Sequence, residues 1–130
     1  MQPMATYNLL AGWIGMLGGV VSGAVIGLYF HKDGWFGGYS SFGRRMLRLG
    51  HISFFGLGFL NLFFALTADK LGLPQPYLKI ASIALIVGAI TMPTCCFLSA
   101  WRKPFRHLFP IPAFAVLMGI VSLLVGWPAA

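Results

Sequence analysis

Acidic side chains are almost missing from this chain: there is no glutamate, and Asp33 and Asp69 are the only carboxylates among 130 residues. That scarcity excludes several kinds of function. Proton-coupled transporters and pumps rely on ionisable relays within the bilayer, and neither aspartate falls inside a long apolar run. A Ser-His-Asp set cannot assemble from two aspartates placed near opposite ends of such runs. The Gly-Lys-Ser/Thr signature of a phosphate-binding loop is also absent. Charge of either sign is sparse, at 8% of residues, against about 25% in ordinary soluble domains. So few charges cannot cover a globular surface in water. Cysteine is scarce as well: Cys95 and Cys96 are adjacent, a geometry that bridges only with strain, so no disulfide framework is implied.

What the chain has instead is hydrophobic side chains, 58% of the total, gathered into four runs at residues 9–30, 51–68, 77–101 and 108–127. Each approaches the ~20 residues that cross ~30 Å of hydrocarbon. The start, Met1-Gln2-Pro3-Met4, lacks a basic n-region, so the first run is expected to persist as a span. The expectation is an all-α, four-helix transmembrane bundle, up-down-up-down with short loops, forming one integral membrane domain over residues 1–130.

Of nine Lys and Arg residues, seven fall in the first and third connections, namely Lys32, Arg44, Arg45, Arg48, Arg102, Lys103 and Arg106. Only Lys70 and Lys79 flank the second. Basic loops stay on the cytoplasmic side, so the chain reads as N-out and C-out, a multi-pass protein of the bacterial cytoplasmic (inner) membrane. Aromatic placement agrees: Tyr7, Trp13, Tyr77 and Trp127 fall at the outer ends, and Tyr29, Trp35, Tyr39 and Trp101 at the inner ends. The basic excess is therefore topogenic, and nucleic acid is not an expected partner, since that needs a contiguous basic face. The lipid bilayer and other membrane subunits are the expected partners.

Gly15, Gly19, Gly23 and Gly27 recur at every fourth position of the first span. This small-residue ridge suits close helix packing, or alternatively a flat cofactor such as a haem, a pigment or a quinone. In the first connection Trp35, Phe36, Tyr39 and Phe42 interleave with glycines and lead into Arg44, Arg45 and Arg48. The segment reads as an interfacial loop with a short amphipathic lead-in to the second span. It either lies on anionic headgroups or docks a larger partner.

His31, His51 and His107 all fall near the predicted cytoplasmic face, as do Cys95, Cys96 and Ser99. A bis-histidine haem b site or a small metal site there is a candidate. His51 leads, being flanked by Gly50 and followed by Phe54, Phe55, Gly56 and Gly58. No His-x-x-x-His pair occurs on one helix, and an interfacial histidine commonly has no ligand role. Asn61, Thr91, Thr94 and Ser99 are expected to hydrogen-bond between helices, and Pro93 to kink the third span, freeing a carbonyl around Ala89.

Together these features favour a non-catalytic accessory subunit of a larger membrane complex, of an electron-transfer or photosynthetic kind. It would dock through the glycine-rich first span and the aromatic-basic loop. The alternatives are a small b-type haem or quinone-interacting electron carrier using His51, and a self-associating channel or lipid-binding protein.

Overall fold

The computed structural model describes residues 2–128. It is helical throughout: α1 (Pro3–Phe30), α2 (Phe42–Leu71), α3 (Gln75–Trp101) and α4 (Pro110–Val125), with short 3₁₀ turns at Trp35–Gly37 and Lys103–Leu108. All four helices, the last taken with the 3₁₀ turn before it, are long and apolar enough to cross a membrane.

Local chemistry sets the helix ends, and it moves several of them away from the apolar runs. Proline at the first position starts α1 at Pro3, because its missing N–H would have no helical partner there anyway. α2 begins at Phe42, well before His51, because Ser41 caps it by accepting a hydrogen bond from the Arg44 N–H at 3.2 Å. The three arginines therefore ride on the first turns of α2. Gly72 ends α2 in the left-handed region (φ 60°), and the Leu73 N–H reaches back to the Ala68 carbonyl at 3.2 Å. That is a Schellman closure, and it turns Leu73 into the core beside Phe64, Ala68 and Leu78. α4 proper spans only 16 residues. The expected start of the fourth span, at 108, falls instead at the end of the 3₁₀ turn.

The helices pack in chain order: α1 on α2, α2 on α3, α3 on α4, with a lighter contact between α1 and α3. α4 leans on α3 with at most marginal contact to α1 or α2, so the four helices do not close into a ring. The all-α set of four apolar helices is the one expected from the apolar runs. The row stays open because of where interlocking residues occur. Gly88 of α3 receives Val116, and Gly119 of α4 receives Leu85, whereas the outer faces of α4 and α1 carry Phe114, Leu117 and Leu124, and Leu10, Ile14 and Leu17, all exposed. Helices in an apolar solvent are held by close packing and hydrogen bonds rather than by apolar burial. α4 has such complementarity toward α3 alone.

Candidate functional site

α1 and α2 meet along the glycine ridge. A Cβ on Gly12 would strike Leu62 at 2.6 Å; on Gly15, the Phe54 carbonyl at 3.1 Å and the Gly58 Cα at 3.3 Å; on Gly19, the Phe55 ring at 2.6 Å. On Gly23 it would collide with the His51 ring. The pairings run antiparallel, each turn down α1 matched by one up α2, so the ridge is filled by the chain's own second helix. Gly15, Gly19 and Gly23 thus pack against the chain's own second helix. Gly27 is different: no atom lies within 4 Å of where its Cβ would stand.

Gly50 and His51 explain how the histidine comes to face α1. Gly50 lies against Phe97 and Cys96 of α3, both within 3.1 Å of a notional Cβ. The next residue, about 100° further round the helix, points the other way, onto Gly23. There His51 Nδ1 lies 3.3 Å from Ser22 Oγ, while the same hydroxyl donates to the Gly19 carbonyl at 3.1 Å. Phe55 packs edge-on to the imidazole, with centroids 5.4 Å apart. Beside this ring, where α1 and α2 diverge, Gly23, Ile26, Gly27, Phe30, Arg48 and His51 line a cleft of ≈ 280 Å³.

No family model, curated protein or solved structure matches this chain. The geometry therefore stands by itself.

The other histidines do not join His51. His31 caps α1 and His107 sits in the second 3₁₀ turn, both exposed. Among the described residues no three His, Cys, Asp or Glu side chains cluster as a metal site would require. The 280 Å³ cleft also falls below the ~300–1,000 Å³ of pockets that enclose drug-sized ligands, and a porphyrin is larger still. No second histidine is among the residues that line the cleft beside His51. Cys95 and Cys96 are buried and unbridged in α3.

The first connection is built around Arg44. Expected on a docking face, it is instead buried (2% exposed), whereas Arg45 is exposed. Its guanidinium donates to the carbonyls of Trp35 (2.6 Å), Asp33 (3.3 Å) and Lys32, and lies over the rings of Phe30 and Trp35. Phe36 (φ 53°), Gly37 and Gly38, which follow these carbonyls, all take positive φ. Tyr29 stacks on Trp35, and Arg48 lies 4.6 Å over Tyr39. Phe42 is the first residue of α2 and half-buried. Of the residues expected to dock, the segment leaves Phe36, Tyr39 and Arg45 exposed. Arg44→Ala removes several charge-assisted bonds, each worth about 1.5–3 kcal/mol. Chymotryptic cleavage within residues 35–39 is expected to accelerate about tenfold or more, with helix content unchanged; equal cleavage rates would show that Arg44 does not hold the loop.

A second polar cluster lies toward the other end of the helices. Asn8 Nδ2 donates to Asn61 Oδ1 at 2.7 Å and to the Ser82 carbonyl at 3.2 Å; Ser82 Oγ donates to Asn8 Oδ1. Asn61 Nδ2 donates to the carbonyls of Leu57 (2.9 Å) and Leu85 (3.2 Å). All three side chains are wholly buried. With its polar groups bonded to one another across three helices, this cluster is a clasp joining α1, α2 and α3. Asn61 bridges helices as expected, while Thr91 and Thr94 bond back to Val87 and Ile90 within α3, and Ser99 Oγ finds no partner among the described residues.

Between α1 and α3 runs a wider apolar groove of ≈ 540 Å³, walled by Leu10, Ala11, Ile14, Ile86, Ile90 and Pro93. α3 continues through Pro93 as one helix. Because proline has no N–H, the Ala89 carbonyl loses its usual helical donor, and Ala89 also lines this groove.

Proposed function

We propose that the protein is a non-catalytic subunit of a larger membrane complex, held N-out and C-out in a bacterial inner membrane. The observation that carries this reading is the unclosed helix row. α1 and α4 each lean on their own chain along one side only, and the groove between α1 and α3 lies open along faces that a further helix would fill. Small residues and a proline-freed carbonyl at Ala89 give that groove the close-approach character of helix-helix interfaces. The occupied glycine ridge shifts the docking surface to this groove and the outer face of α1. Phe36, Tyr39 and Arg45 extend it at the cytoplasmic end. The seven-to-two distribution of basic residues supports the orientation.

Photocrosslinking in native membranes tests it. A benzophenone side chain placed at Ile90, on the groove, is expected to give one discrete adduct with a different membrane protein, and the same group at Phe63, exposed elsewhere on α2, is expected to give none. A chain that crosslinks only to lipid from both positions, and migrates free in mild detergent, would refute the proposal.

A further inference from the structure

α3 ends at Trp101, where Pro104 has no N–H to return to the Ala100 carbonyl. Arg102 leaves the helix in an extended conformation (φ −139°, ψ 118°), and the Phe105 N–H closes on its carbonyl at 3.1 Å. That bond opens the 3₁₀ turn Lys103–Leu108, which repeats about every three residues. Lys103 and Arg106 therefore share one face, and it is exposed, while Phe105 points elsewhere and is half-buried. Arg102 joins them, its guanidinium 4.6 Å over the ring of Trp101, which is itself 66% exposed. No carboxylate side chain follows Asp69 in the sequence, and Asp33, in the first connection, is the only one at this end of the helices. Three exposed cations thus fall within five residues, with no acidic residue in α3, the turn or α4 to neutralise them.

From this cluster of Arg102, Lys103 and Arg106 beside the outward Trp101, we infer that the connection between α3 and α4 binds the headgroup of an anionic phospholipid. Two features set its depth in a bilayer. An exposed indole favours headgroup level, and the 16 residues of α4, about 24 Å long, are too short to carry the turn clear of a ~30 Å hydrocarbon core. The cations therefore stand where lipid phosphates lie. The guanidiniums of Arg102 and Arg106 can each donate a fork of N–H groups to phosphate oxygens, and Lys103 adds a compact third charge. A choline headgroup would bring its own cation into this patch, whereas a glycerol headgroup brings only hydroxyls. A phosphatidylglycerol-type lipid is the occupant that the charges fit. The site rests on the helices lying in a bilayer and not on the subunit reading.

The test uses the full chain carrying Trp13→Phe, Trp35→Phe and Trp127→Phe, so that Trp101 alone emits. It is placed in vesicles of phosphatidylcholine and phosphatidylglycerol, with one lipid at a time brominated on its acyl chains. Quenching reads which lipid sits beside Trp101. Phosphatidylglycerol is expected to be preferred about fivefold at low salt, the worth of roughly one cation near the surface, and less so at high salt. Lys103→Gln with Arg106→Gln should remove the preference at unchanged helix content, since both side chains are exposed. Lys103→Arg with Arg106→Lys should keep it. A chain that retains Trp127 instead, at the other end of the helices, should show no preference. Equal quenching by the two lipids at Trp101, an equal preference at Trp127, or a preference that survives the double glutamine variant would each overturn the site. Absence of quenching by either lipid at both tryptophans would refute bilayer insertion, and the site with it.

Discussion

Gly15→Leu is expected to destabilise the folded chain by about 3 kcal/mol, at the upper end of what overpacking usually costs. At most glycines of the ridge the opposing atoms belong to side chains, such as Leu62 or Phe55, which can swing aside. At Gly15 they are backbone, the Phe54 carbonyl and the Gly58 Cα, both within 3.3 Å of a notional Cβ. Four extra carbons there must push α1 and α2 apart over the whole ridge, exposing the contacts on either side. Gly27→Leu, three turns along the same face, meets nothing and is expected to shift stability by less than about 0.5 kcal/mol. Reversible unfolding in mixed micelles, titrated with sodium dodecyl sulfate, measures both. Equal losses would mean that the cost does not come from the approach of two backbones.

The second large effect is expected at the clasp. Asn61→Leu keeps the side-chain volume close to native but removes one acceptor and two donors in a fully buried position. Asn8 is then left with an amide pointed at hydrocarbon, and the Leu85 carbonyl loses its extra donor. A cost of about 2 kcal/mol follows from stranding buried partners. Asn8→Leu should cost a similar amount, and the pair together less than both separately, with a coupling of roughly 1 kcal/mol for the bond they share. The same unfolding titration, run as a double-mutant cycle, reads this directly. Strict additivity would show that the 2.7 Å contact carries no energy.

These two sites also show how far the residues could be read unaided. The four apolar helices were legible because length and composition alone make them so, and the ridge was legible because period-four glycine has few other uses. Which helix fills the ridge was not, since pairing depends on Phe54, Phe55 and His51 meeting it in register across about 30 residues of chain. Asn8 was missed for a local reason. Placing the first span at Leu9 put Asn8 outside it, although Pro3 is a helix-start signal and moves Asn8 inside the second turn. Ser82 looked ordinary within an apolar run, because a serine hydroxyl usually bonds its own helix. Arg44 looked like its neighbours Arg45 and Arg48. What sets it apart is the turn at residues 32–35, whose carbonyls capture it. Among the histidines, the sequence pointed to His51, but the hydroxyl beside its ring lies 29 positions away.

The unequal helices have one more consequence. Compared helix for helix, the 28 residues of α1 are roughly 42 Å long at ~1.5 Å per residue, while the 16 residues of α4 reach only about 24 Å. The turn before α4 carries Lys103 and Arg106, which favour headgroup level and so cannot lengthen its apolar span. α4 lies at the α3 end of the helix row and α1 at the α2 end. In a bilayer, lipid would meet a protein that is thicker than an average ~30 Å core on one flank and thinner on the other, where each ångström of mismatch costs a fraction of a kcal/mol. Chains would stretch beside α1 and shorten beside α4, giving the bilayer around a single molecule a built-in slope.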